Sequence, residues 1–311
     1  MSYVILDLEW NAAFYKKEQR YINEIIEFGA VKVDDELNIT DTFSTLVKPK
    51  IGKRLCSKVK ELTGLSLDEL KQGVTFAQAV ESFTEFASDS VIMTWGTSDI
   101  HALIENFHCF FGDRHITFLH SYCDLQEYCE KSMGLYDKSA QMGLSVCAEK
   151  LGVEFCEDDQ HRAVADAVLS LKCIKELIGQ NPLEPYIQDA DCERFYDKMT
   201  FKTHYISDLS DPQIDKAQLR FFCEVCGRRA ARVTKWKRRN RSFSADFQCR
   251  GCGNRFGARV SFKKTFDEIK ALRKIIPKEQ PKAEAAEQTS EQAHEAVGEN
   301  HENRAYRAVC K

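Results

Sequence analysis

Apolar residues in the first part of the chain alternate between two spacings. Short, partly β-branched runs at about 3–9, 23–33, 39–47, 90–95 and 116–120 have the length and composition of strands. Between and after them, apolar residues recur every three or four positions over about 55–62, 76–88, 99–110, 123–132, 144–151 and 162–178, which predicts helices. Three early strands, the first two closely linked, then alternating helices and strands, predict a mixed α/β sheet with helices on both faces. The period then fades. Residues 181–216, with prolines at 182 and 185, read as a linker with a short helix around 190–199. Residues 217–276 form a basic, cysteine-bearing module, within which 264–276 reads as an amphipathic helix with apolar Phe266, Ile269, Leu272 and Ile276. Beyond Pro277 the sequence is rich in Glu, Ala and Gln with Tyr306 its one aromatic, so 277–311 is expected to be a disordered tail.

Composition supports folded domains: 43% of the 311 residues are hydrophobic and 11% aromatic. Two domains are the expectation at this length. No apolar run approaches the roughly 18 residues of a membrane span. The first residues lack a basic segment followed by an apolar stretch and a cleavage site, so no membrane and a cytoplasmic location are expected. Nine of the 13 cysteines are scattered singly, as small core hydrophobes of a reducing compartment would be. Net charge is −4, but it is unevenly spread. Residues 1–180 hold 18 Lys+Arg against 29 Asp+Glu, whereas 216–275 hold 18 against 4. An acidic domain joined to a strongly basic one suggests a polyanionic partner for the second.

The candidate chemistry begins where the first strand ends. Tyr3-Val-Ile-Leu6 runs into Asp7-Leu8-Glu9. Residues i and i+2 of a strand share a face, so two carboxylates stand side by side. That arrangement is unfavourable without a cation, and oxygen ligands suit Mg²⁺ or Mn²⁺. Carboxylate clusters of this kind commonly hold two metals about 3.5–4 Å apart for phosphodiester chemistry. Asp99 follows midway and His161-Arg-Ala-Val-Ala-Asp166 later.

The order Asp-x-Glu, Asp, His-x4-Asp resembles the DEDDh branch of the RNase H-like 3′–5′ exonucleases (the RNase T and oligoribonuclease-like superfamily). Glu24-Ile-Ile-Glu27-Phe-Gly29-Ala-Val31 is similar to that family's second strand. Leu46-Val-Lys-Pro49 with Leu62-Thr-Gly64 is similar to the connection after it, and Gly143-Leu-Ser145 through Lys150-Leu-Gly152 to the helix before the last motif. The resemblance covers residues 1–180 and implies a five-stranded RNase H-like sheet flanked by helices. It implies removal of 3′-terminal nucleotides from single-stranded RNA or DNA. Asp7, Glu9, Asp99 and Asp166 would hold two Mg²⁺ or Mn²⁺, and His161 would take the proton of the attacking water. Residues five apart on one helix differ by about 140° in direction, so His161 is expected on the loop before the helix that carries Asp166. Trp95-Gly-Thr-Ser-Asp99 resembles the exoribonuclease-like branch and favours RNA over DNA. Trp10, where relatives often carry a small polar residue, could stack on the terminal base or pack against the adjacent loop.

Cys223-Glu-Val-Cys226 and Cys249-Arg-Gly-Cys252 have the form of a four-thiolate structural zinc ribbon, with Gly227, Gly251 and Gly253 at the knuckle turns. Between them, Lys235, Lys237, Arg238, Arg239 and Arg241 could neutralise phosphates, and Trp236 or Phe243 could stack on bases. The same run could instead be a solvated hairpin or a dock for an acidic protein. A DNA exonuclease and a non-catalytic nucleic-acid-binding or adaptor protein are the competing readings.

Overall fold

The apolar run at Tyr3 forms strand β1 (Tyr3–Tyr15), which continues well past the acidic pair and turns back as β2 (Arg20–Val33). The computed structural model describes residues 2–135, 141–156 and 162–278, in two compact units, Met1–Thr203 and His204–Lys311. His161 and residues 279–311 of the expected tail lie outside the described residues.

In the first unit the sheet is completed by β3 (Ile39–Leu46), β4 (Val91–Thr94), β5 (Ser121–Asp124) and β6 (Gln188–Asp189), in the order β3-β2-β1-β4-β5-β6. Strands β1, β4 and β5 run parallel, and the remaining pairs are antiparallel. The helices are α1 (Ser57–Thr63), α2 (Leu67–Lys71), α3 (Phe76–Ala87), α4 (Ser98–Phe111), α5 (Leu125–Ser132), α6 (Leu144–Leu151), α7 (Ala163–Ile178) and α8 (Glu193–Thr200). Alternation along β1 divides the core. Val4, Leu6 and Leu8 pack with Phe76 and Phe83 of α3 and Leu103 and Phe107 of α4, while Tyr3 and Ile5 pack with Tyr128 of α5, Cys147 of α6 and Leu171 of α7.

Three expectations change. The sheet has six strands rather than five, because the segment read as a linker supplies β6 against β5. The same segment buries Leu183, Ala190, Phe195, Tyr196 and Met199 in the first unit's cores, at spacings too irregular to show as a period. The strand expected at 116–120 begins at Ser121 instead: Ile116, Phe118 and Leu119 are buried, but Leu119 N–H donates to Ile116 O in a turn.

The second unit is antiparallel: β7 (His204–Tyr205), β8 (Ala230–Arg232), β9 (Lys237–Arg239), β10 (Ser242–Cys249), β11 (Arg255–Lys264) and β12 (Ile269–Pro277). Strands run β12-β11-β10-β8, with β7 on β11 and β9 on β10. The amphipathic helix expected at 264–276 is therefore corrected to a turn and a strand. Thr265 N–H donates to Glu268 O at 2.9 Å, and from Ile269 the chain forms a ladder along β11. Ile269, Ala271 and Ile275 pack on the second unit's core at the two-residue period of a strand, whereas Leu272 of the expected helix face is 54% exposed. Among the described residues no helix is long and apolar enough to cross a membrane.

Candidate active site and cysteine centre

Strand β4 pairs with β1 only at Tyr3, Val4 and Ile5, so Asp7 and Glu9 stand just past the end of β4. There the chain turns from β4 into α4. Thr94 Oγ1 donates to Gly96 O at 2.5 Å, and Gly96 adopts φ 76°, a left-handed conformation that glycine reaches without a Cβ penalty. Asp99 falls in the first turn of α4 and is 4% exposed. Leu8 N–H, between the two strand carboxylates, donates to Asp99 Oδ1 at 3.0 Å. Asp166 comes from the opposite layer. Gly29 of β2 is the register partner of Asp7, and a Cβ built on Gly29 would lie within 3.0 Å of Val164 N and Ala163 C. The start of α7 thus rests on bare backbone, and Asp166 sits in its first turn. Ligand oxygens of Asp7, Glu9 and Asp166 all lie within 4.8 Å of one another.

Two carboxylates at that separation repel by roughly 3 kcal/mol at an effective dielectric near 20. Burial pushes the Asp7 carboxyl well above its usual range, reinforced by Asp99, Asp166, Glu9 and Glu27. Burial, with Asp166, Glu27 and Asp99, raises Glu9 to about 8, against the pull of Arg162. Asp99 rises to about 7, mainly through burial, with the N–H of Leu8 opposing. Hard oxygen donors this close fit a divalent metal ion.

A pH dependence follows. For Glu9, ordinarily at 4.5 and raised to about 8 in the fold, the protonated form is favoured when no metal is bound. Its contribution to stability is complete below the ordinary value and is lost as pH rises through about 8. Mg²⁺ or Mn²⁺ should therefore raise the melting temperature more above pH 8 than near pH 5. Equal shifts at both pH values, with zinc kept bound, would show that these carboxylates are not the ligands.

Three neighbours escaped the sequence reading. Glu27, opposite Glu9 in the ladder and 1% exposed, pairs with Arg162 at 3.0 Å. This ion pair ties the residue preceding α7 to β2. Asp124 caps α5 by accepting from Glu127 N–H at 3.0 Å, and burial raises it to about 6. Glu24, also 1% exposed, accepts from the N–H groups of Lys50, Ile51 and Gly52 at 2.6–2.7 Å, and Asn11 accepts from Cys56 N–H at 2.9 Å. The 50–56 segment is thereby fixed across β1 and β2 beyond Glu9. Trp10 is half-buried against the α3–α4 core.

In the second unit the sulfurs of Cys223, Cys226, Cys249 and Cys252 lie within 4.8 Å of one another. Each knuckle closes with a glycine in the left-handed region: Gly227 (φ 69°) donates to Cys223 O at 2.8 Å, and Gly253 (φ 73°) to Cys249 O at 3.0 Å. Burial raises the Cys223 thiol, but the N–H groups of Cys226 and Val225 and the Asn254 amide outweigh it and bring it down to about 6. Such a cluster could hold a soft-ligand metal such as zinc.

The hairpin between the knuckles divides in two. Lys235, Lys237, Arg238, Arg239 and Arg241 are exposed, and Trp236 is half-buried against Phe221 and Phe247. Phe243 is corrected: at 5% exposure it belongs to the core, because β10 turns Phe243, Ala245, Phe247 and Cys249 inward together, and it has no free face for a base.

Carboxylates from a central strand, the helix after β4 and a helix on the opposite layer, gathered at one sheet position, define a nuclease-type acidic site. Residues 4–174 match the RNase_T family, described as exonuclease. The chain is 30% identical over 178 residues to the probable 3′-5′ exonuclease KapD of Bacillus subtilis, spanning 56% of this chain and 83% of that protein. It is 29% identical over 175 residues to a PolC-type DNA polymerase III of Clostridium perfringens, 56% of this chain but 11% of the polymerase. It is 26% identical over 147 residues to 3′-5′ exoribonuclease 1 of Rattus norvegicus, 43% and 41% of the two chains. The solved nuclease domain of 3′hExo, a DEDDh family member bound to rAMP, aligns at 21% identity and TM-score 0.49, covering 60% and 96%. The chain belongs to the RNase T family of exonucleases, and it is an enzyme of the 3′–5′ exonuclease class.

Proposed function

We propose that this enzyme removes 3′-terminal nucleotides from single-stranded RNA in preference to DNA, using two divalent metal ions held by Asp7, Glu9, Asp99 and Asp166. The observation that carries the reading is the approach of Asp7, Glu9 and Asp166 from separate layers to within 4.8 Å, with Asp99 tied to Leu8 beside them. When bound, the metal ions lower the pKa of the attacking water and offset charge on the leaving 3′-oxygen. The chain's part is to hold four carboxylates in place and to take up a proton. His161, one residue before Arg162, takes that proton from the water, and its unperturbed pKa near 6.5 suits the task. Arg162, the next residue along the chain, is anchored on Glu27. His161→Ala should slow hydrolysis by roughly 10²–10⁴-fold with metal affinity unchanged. Loss of metal binding in that variant would reassign His161 as a ligand.

RNA is favoured by the Trp95-Gly-Thr-Ser-Asp99 segment, which resembles the exoribonuclease-like branch, and by similarity to the rat exoribonuclease. The second reading, a DNA exonuclease, draws on the PolC-type polymerases. Competition between matched, 5′-labelled single-stranded RNA and DNA in Mn²⁺ separates them. Shortening of RNA from its 3′ end with the higher kcat/KM is expected, and faster loss of DNA would establish the second reading.

The four thiolates hold one zinc ion that organises the second unit, since all four positions are taken by protein sulfur. Zinc binding and folding of such modules are linked. Releasing zinc with a thiol reagent should unfold the β8–β12 region while a short phosphodiester ester is still hydrolysed. Retained hydrogen-exchange protection of β10 without zinc would refute the structural role.

A further inference from the structure

We infer that a cleft lined by arginines in the second unit is a second binding site, one that takes the backbone of a single-stranded nucleic acid and stacks a base on Trp236. This site takes Trp236 from the dense basic run at 235–241 but is lined by none of that run's cations, and the identity of its ligand rests on the exonuclease reading. The cleft has a volume of about 690 Å³ and is lined by Arg220, Arg229, Arg232 and Arg250 around Trp236 and Phe247. No carboxylate lines it. None of the four arginine side chains has a carboxylate partner among the described residues: Asp246 pairs with Lys278, and Glu268 with Lys270. Four positive side chains around one cavity repel each other, and an anionic ligand relieves that repulsion.

The fold builds this site from separate pieces. Arg232 is the register partner of Phe247, so it stands over the β10 face whose apolar residues form the floor. Arg229 lies just beyond the first knuckle, bridged to Phe222, and Arg250 lies within the second, between Cys249 and Gly251. The cysteine centre therefore sets the spacing of the arginines. Trp236 is held at an edge-to-face angle of 62° to Phe247, 5.8 Å between ring centroids, and its indole stays partly exposed.

These groups select a ligand. Guanidinium forks match phosphate oxygens in two-point geometry, and an indole accepts the face of any base. A chain of phosphates with unpaired bases satisfies both, whereas an acidic peptide satisfies only the arginines. Among the described residues of this unit no α-helix presents side chains to a duplex groove, so the site should be indifferent to sequence.

The test uses the full, zinc-loaded chain and a fluorescent oligouridylate in buffer free of Mg²⁺ and Mn²⁺. Arg229→Gln with Arg232→Gln should weaken binding at least about tenfold and reduce the log Kd–log salt slope by about 1.4, at roughly 0.7 per phosphate contact in single strands. Arg229→Lys with Arg232→Lys should keep most of the slope while losing affinity, which separates charge loss from misfolding. Trp236→Leu should lower affinity by about tenfold or more with the slope unchanged. Unchanged affinity and slope in the Gln pair would overturn the proposal, as would a poly-glutamate peptide that displaces the RNA at equal concentration. Hydrolysis of p-nitrophenyl thymidine monophosphate in Mn²⁺ reports on the carboxylate site alone. A wild type inactive on it would sink the exonuclease reading while the binding comparison still decides the cleft.

Discussion

Asp7→Asn is expected to lower hydrolysis by at least about 10³-fold, the scale on which a lost transition-state contact to developing charge acts, and to raise the melting temperature of the metal-free protein near pH 8. The two effects share one cause. Asp7 lies where burial and the charges of Asp99, Asp166, Glu9 and Glu27 all oppose its ionisation. A neutral amide of the same shape relieves that repulsion and stabilises the apo fold. The same amide supplies one neutral oxygen where the metal ions need a charged ligand. A variant merely damaged in folding would lose both stability and activity. Turnover at the wild-type rate would refute the metal assignment.

Gly29→Ala should produce the second largest effect. The added methyl would lie within 3.0 Å of the backbone at Ala163 and Val164, which cannot rotate aside as a flexible side chain could. Helix α7 must then lift from β2, at a cost of about 1–3 kcal/mol for an overpacked contact. For a unit of this size that lowers the melting temperature by roughly 2–12 °C. Asp166 rides on the first turn of α7, so it moves away from Asp7 and Glu9. A displacement near 1 Å costs about 10²-fold in rate. Mn²⁺ affinity should fall in parallel. Wild-type affinity together with a lowered melting temperature would show that α7 packs on Gly29 without positioning Asp166.

What could be read from the sequence was whatever lies close together along the chain. The side-by-side placement of Asp7 and Glu9 follows from strand alternation, and the cysteine knuckles from their two-residue spacing. The Ser66–Glu69 reciprocal cap that starts α2 is equally local yet went unread, and the structure supplies it, with Glu69 N–H donating to Ser66 Oγ at 3.2 Å. Contacts across the fold were silent. Nothing local shows that Gly29 is where α7 lands, or that Arg162 reaches Glu27 across 135 positions. The cleft arginines are spread from 220 to 250 and are overshadowed by the denser run at 235–241. Phe243 is the opposite case. The alternation Phe243, Ala245, Phe247, Cys249 was visible and marks an inward face, but basic neighbours drew the residue into a surface reading. The β12 segment shows the limit of periodicity, since Ile269, Leu272 and Ile276 suggest a helix face while Ile269, Ala271 and Ile275, the residues that pack, keep the period of a strand laid along β11.

The most direct measurement is calorimetric titration of Mn²⁺ into the zinc-loaded chain in the presence of a nucleoside 5′-monophosphate, for the wild type and for Asp7→Asn and Asp166→Asn. Two Mn²⁺ per wild-type chain are predicted, with at least one lost in each variant. Undiminished Mn²⁺ binding by both variants would contradict the account, because the cations would then have ligands other than the carboxylates that meet beside β1.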